Sequence, residues 1–134
     1  MSKINRYPCY RTPYVQAFGR FLEKFPWSWY GTFTFEYRVS VDKAITSAIE
    51  MIMKYDETSI YFLCCEYSKS GVHLHALING ISDIDRLPFQ EEWSWRYGLV
   101  KIEVFNRDLG GQNYIVKYLE AGKAEFKTNL TVEG

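Results

Sequence analysis

Residues 60–78 read IYFLCCEYSKSGVHLHALI, two runs of aliphatic, aromatic and β-branched residues broken by Ser68, Lys69, Ser70 and Gly71. So short a polar break between such runs predicts a β-hairpin, with strands at about 59–67 and 72–79. Side chains alternate between the faces of a strand, so Val72, Leu74, Ala76 and Ile78 form one row and His73, His75 and Leu77 the other. The apolar row must be the core side, which sends the only two histidines of the protein to the opposite face. Glu66 lies on the side of Ile60, Phe62 and Cys64, near the turn, where His73 should pass on the neighbouring strand. Two imidazoles and a carboxylate converging from adjacent strands make a facial set of ligands that leaves positions open on a divalent cation. A plainer reading is hydrogen-bonded strand histidines beside a solvated hairpin carboxylate. The pairing of both histidines with a nearby carboxylate favours the metal.

Working outward, residues 41–55, VDKAITSAIEMIMKY, carry Val41, Ala44, Ile45, Ala48, Ile49 and Ile52 as an apolar stripe at helical spacing, and Ser40 can cap that helix. Before it, WSWYGTFTFEYRV alternates Trp29, Gly31, Phe33, Phe35 and Tyr37 with Tyr30, Thr32, Thr34, Glu36 and Arg38, which predicts a first strand. Earlier still, Val15, Phe18, Phe21, Leu22 and Phe25 recur at helical spacing between Pro13 and Pro26. After the hairpin, a helical or part-helical stretch is expected around 88–96, then a fourth strand in LVKIEVFN. A last helix, YIVKYLEAG, can be closed by Gly122. The order strand, helix, strand, strand, helix, strand predicts an α+β fold: a small antiparallel sheet with a ferredoxin-like or RRM-like βαββαβ core backed by helices. One domain spanning 1–134 is expected, with an N-terminal arm and helix at 1–27 and a polar tail or cut linker at 123–134.

Composition narrows the class. At 134 residues with 47% hydrophobic content the chain can bury a core without disulfides or structural metal. Cys64 and Cys65 are adjacent within an apolar run and read as reduced packing residues, which suggests an intracellular protein. No apolar run reaches the length of a membrane span and the first ten residues lack a signal-peptide core, so the expected location is cytoplasmic, in the host cell if the protein is viral. A formal net charge of zero argues against a polybasic nucleic-acid binder. The total conceals an uneven distribution, since residues 1–24 hold Lys3, Arg6, Arg11, Arg20 and Lys24 against Glu23 alone. No phosphate-binding loop of the G-x-x-x-x-G-K-S/T kind is present.

The second group of chemistry-bearing residues is Tyr114, Lys117 and Tyr118. On a helix, 114 and 118 lie one turn apart on one face with Lys117 beside them, while Ile115, Val116 and Leu119 are left to anchor it. Tyrosines so spaced are often core or rim residues. Beside a metal site they gain a second meaning, because a phenol needs an electrophile and a cation-bound phosphodiester supplies one.

His73-Leu74-His75 resembles the histidine-hydrophobic-histidine signature of HUH endonucleases, within GVHLHALI. Tyr114-Ile115-Val116-Lys117-Tyr118 is similar to the Tyr-x-x-Lys-Tyr helix of that superfamily's rolling-circle replication initiators. Tyr30-Gly31-Thr32-Phe33-Thr34-Phe35 stands where the family's first strand motif is expected, and Glu66 where many initiators place a third metal ligand. The resemblance implies an HUH-type domain that nicks and joins single-stranded DNA through a 5′-phosphotyrosyl intermediate. It further implies Mn²⁺ or Mg²⁺ on His73, His75 and Glu66, with Tyr114 as the nucleophile because lysine follows it by three residues. Lys117 would orient the phosphate or lower the tyrosine's proton affinity, and Tyr118 would be a second nucleophile or a stacking residue. Host polymerase and helicase are the implied protein partners. The oligomeric state stays open, a dimer among the options.

Single-stranded DNA needs sequence-tolerant contacts, and aromatic rings supply them. Trp93, Trp95, Tyr97 and Arg96, with Tyr7 and Tyr10 of the basic arm, are the candidates, though most such aromatics in a small domain belong to its core. Two alternatives stand beside the initiator. One is a single-tyrosine HUH transposase, which the lysine and second tyrosine of the helix disfavour. The other is a non-catalytic single-stranded DNA-binding or RNA-binding module whose histidines are contacts rather than ligands.

Overall fold

The computed structural model describes residues 13–68, 71–106, 108 and 124–130. Within them the chain runs α1 (Pro13–Glu23), β1 (Trp29–Thr34), α2 (Val41–Tyr55), β2 (Ile60–Ser68), β3 (Gly71–Asn79), a 3₁₀ turn (Asp83–Asp85), α3 (Arg86–Arg96), β4 (Val100–Val104) and β5 (Ala124–Thr128). The strands form one antiparallel sheet in the order β4-β1-β3-β2-β5. Its first four places are the ferredoxin-like order, so the expected α+β class holds.

β5 corrects one expectation. Residues 123–134 read as a polar tail, yet Ala124–Thr128 pairs with β2 from Glu66↔Ala124 to Phe62↔Thr128. Ala124, Phe126 and Thr128 alternate with Glu125 and Lys127, a short period-two pattern hidden by its charges. β2 offers an edge whose backbone groups this segment satisfies.

Alternation sorts the sheet into two faces. Trp29, Phe33, Leu63, Cys65, Leu74, Ala76, Ile78 and Ile102 pack in one core with Ala44, Ala48, Met51 and Ile52 of α2 and Phe89 and Trp93 of α3. The helices reach this face for local reasons. Ser40 Oγ accepts a hydrogen bond from Lys43 N at 3.1 Å, which satisfies a donor of the first turn of α2 as its sequence predicts. Pro88 is tolerated because it sits in the first turn of α3, where its missing N–H would have no helical partner. Phe89 and Trp93 are one turn apart and both fully buried. Burial of each such ring contributes about 3 kcal/mol or less. Glu92 ties the two helices together: Lys54 Nζ lies 2.7 Å and Arg96 Nε 2.9 Å from its carboxylate, and Tyr55 OH donates to it at 3.1 Å.

The first strand is shorter than the alternation of residues 27–39 suggests. β1 stops at Thr34, where Thr34 N donates to Leu99 O and Glu36 N to Tyr97 O, both at 2.8 Å. Gly98 permits this approach; a Cβ there would stand 2.8 Å from Glu36 N and 2.9 Å from Thr34 O. From Phe35 onward the chain leaves β3 and turns toward Ser40.

Candidate functional site

The face opposite α2 and α3 is graded along its strands, and the register resolves it into three cross-strand rows. The first runs Glu103, Tyr30, Leu77, Phe62, Thr128; the second Lys101, Thr32, His75, Cys64, Phe126; the third Thr34, His73, Glu66, Ala124. Over the first row lies an apolar cluster in which Tyr30, Phe62, Cys64 and Leu77 meet Leu22 of α1 and Trp27, with Phe21 and Phe25 against it. Polarity rises row by row toward the hairpin turn.

Glu66 and His73 are direct cross-strand partners, and His75 stands one row further in. Directly opposite residues bring their Cβ atoms within about 5.5 Å, so the register alone holds carboxylate and imidazole side by side. Glu66 Oε1 lies 3.6 Å from Nε2 of His75. That exceeds a hydrogen bond, and two ligand atoms about 2.1 Å from a shared ion stand roughly 3.0–3.4 Å apart at octahedral to tetrahedral angles, so a shift of a few tenths of an ångström brings the pair to ligand spacing. His75 is only 7% exposed, whereas the side chain of Glu66 keeps 25% of its surface. Among the described residues no three His, Cys, Asp or Glu side chains are already gathered to hold an ion. The donor types fit a hard or borderline divalent cation, with one pair close to ligand spacing and His73 beside it in register.

Cys64 shares the row of His75 but belongs to the packing. Burial pushes its thiol up to about 12, and the neighbouring Cys65 and Glu66 add to the shift. Cys65, on the other face, is likewise pushed up to about 12, mainly by burial. Both side chains are fully buried, in keeping with their reading as packing residues.

Tyr114, Lys117 and Tyr118 lie outside the described residues, as do Tyr7 and Tyr10. The aromatic candidates on α3 divide. Trp93 is fully buried, donates its indole N–H to Thr34 O at 3.2 Å and packs edge-on against Phe33 and Phe35 and at a tilt against Tyr97, so it is a core residue. Tyr97 packs half-buried against the same core. Trp95 is 83% exposed, and exposed Arg96 pairs with Glu92. The sequence placed Thr34, which completes the row of His73, only in a first-strand motif, and Tyr37 and Arg38 only in the strand's alternation rather than beyond its end. The alternation of Thr32 and Thr34 with buried aromatics was the available signal for the first.

No protein-family model matches the sequence, and no curated protein sequence matches it. The fold is similar to that in the crystal structure of the hypothetical protein ORF119 from Sulfolobus islandicus rod-shaped virus 1. The two share 18% sequence identity over 77% of this chain and 91% of that one, with a TM-score of 0.53. At that identity the likeness concerns the fold alone. No helix among the described residues is long and apolar enough to cross a membrane.

Proposed function

We propose that this chain is a metal-dependent, tyrosine-nucleophile enzyme of the HUH kind that nicks and joins single-stranded DNA to initiate rolling-circle replication. The observation that carries the reading is the placement of Glu66, His73 and His75 together at the polar end of one sheet face, with Glu66 and His75 3.6 Å apart. Glu66, His73 and His75 would hold Mn²⁺ or Mg²⁺, whose charge polarises a phosphodiester and offsets charge developing on it. The remaining chemistry belongs to the chain's own side chains. The Tyr114 phenol loses its proton and its oxygen bonds to phosphorus; the P–O3′ bond breaks and the departing oxygen takes up a proton. The products are a 5′-phosphotyrosyl link and a free 3′-hydroxyl that a host polymerase extends while a helicase opens the duplex. Lys117 orients the phosphate, and Tyr118 serves the strand transfer that ends the round. The low formal charge of the chain fits affinity resting on base stacking and the metal site more than on many phosphate contacts.

The test is a labelled single-stranded oligonucleotide carrying the replication origin, incubated with protein and Mn²⁺. Wild type forms a covalent adduct that resists denaturation, and Tyr114→Phe combined with Tyr118→Phe abolishes it. No adduct with wild type, or an adduct that survives the double substitution, rules the reading out.

A further inference from the structure

We propose that a cleft beside His73 is a binding subsite for one unstacked base of single-stranded DNA, with Tyr37 as its stacking platform. The inference rests on the single-strand reading above and extends it to a subsite that shares only His73 with the proposed metal ligands. The cleft exists because β1 stops pairing at Thr34, opposite His73, while β3 continues to Gly71. Phe35, Glu36, Tyr37 and Arg38 border it on one side and Val72 and His73 on the other. Its volume is about 240 Å³. That falls below the roughly 300 Å³ at which pockets for drug-sized ligands begin, and suits a single flat ring system.

The lining chemistry selects the occupant. Tyr37 is 51% exposed, yet its ring is braced by Phe35 at 6.3 Å in an edge-on arrangement, so little side-chain freedom is lost when a base stacks on it. Glu36 and Arg38 are both exposed and carry opposite charges, which leaves the border without net formal charge. Such a rim disfavours a phosphate and offers a base both an acceptor and a donor. His73 closes the inner end, so a base held here belongs to a nucleotide next to the phosphate at the metal ligands.

The test compares two probes of equal length, oligo(dT)₁₂ and an abasic 12-mer, titrated in a metal chelator against wild type, Tyr37→Phe and Tyr37→Ala. Tyr37→Ala should weaken oligo(dT)₁₂ binding about tenfold and leave the abasic probe unchanged, whereas Tyr37→Phe, which keeps the ring, should bind both probes as wild type does. Photo-crosslinking with 5-iodouracil in the oligonucleotide should label Tyr37 or Phe35. Equal loss on both probes, no loss on either, or crosslinks confined to other residues overturns the subsite. Wild type that cleaves DNA while failing this comparison sinks the subsite alone. Wild type that passes it but forms no covalent adduct sinks the nuclease alone, and binding to neither probe sinks both.

Discussion

The two faces of this sheet are made from the same strands, residue by residue in alternation, yet they are built for different ends. One face is apolar across β4, β1, β3 and β2, where it packs against α2 and α3 with Trp29, Phe33, Leu74, Ile78, Phe89 and Trp93 among its buried members, and turns charged only at β5 with Glu125 and Lys127. The other begins apolar under Leu22 and ends in Thr34, His73 and Glu66. Burying a polar group without compensation costs stability. The proposed metal site would offset that cost on the face that brings a carboxylate and two imidazoles together, whereas the opposite face shows what packing alone selects.

The sharpest way to break this comparison is to damage each face in turn. Trp93→Ala removes a fully buried indole and should cost about 3–5 kcal/mol in denaturant unfolding, since its neighbours cannot close over the space. His73→Ala, at a half-buried position, should change stability by about 0.5 kcal/mol or less. It should nevertheless lower Mn²⁺-dependent cleavage at least about 100-fold, as expected for loss of a metal ligand. A large stability loss with His73→Ala, or cleavage that survives it, would erase the difference between the faces.

A smaller effect concerns the brace between the helices on the packed face. The hydrogen bond from Lys54, with help from Tyr55 and Arg96, holds the Glu92 carboxyl below the ordinary glutamate range. A depressed folded value means the contribution is complete above the unfolded glutamate value of about 4.3 and is lost as pH falls through the folded one. Glu92→Gln should cost about 1 kcal/mol or less at pH 7. The gap from wild type should close on acidification below about pH 4, as unfolding curves across pH would show.

Much of this was legible in the sequence because hydrophobic periodicity reports burial directly. Val72 to Ile78 announced which row faces the core, and Ser40 announced the start of α2. The hairpin turn also set the register that places Glu66 against His73, since a slip by one residue would have turned every side chain of β3 over. What stayed hidden depends on contacts distant in the chain. Gly98, more than sixty residues from Thr34, lets residues 97–99 approach the backbone of Thr34 and Glu36 where the chain leaves β3, and the cleft beside His73 opens at that departure. β5 was obscured because Glu125 and Lys127 make a short edge strand look like tail. Trp93 and Trp95 are two residues apart with the same composition signal, and only packing divides them into core and surface. Tyr114, Lys117 and Tyr118 rest on the sequence resemblance.

The claim on which the rest depends is that Glu66, His73 and His75 bind one divalent ion. Calorimetric titration of Mn²⁺ into the full chain tests it without reference to cleavage. The account predicts one ion per chain and at least about tenfold weaker binding for each of Glu66→Ala, His73→Ala and His75→Ala, with unfolding curves confirming that the variants fold. An absence of binding by wild type, or unchanged affinity in the three variants, would contradict it.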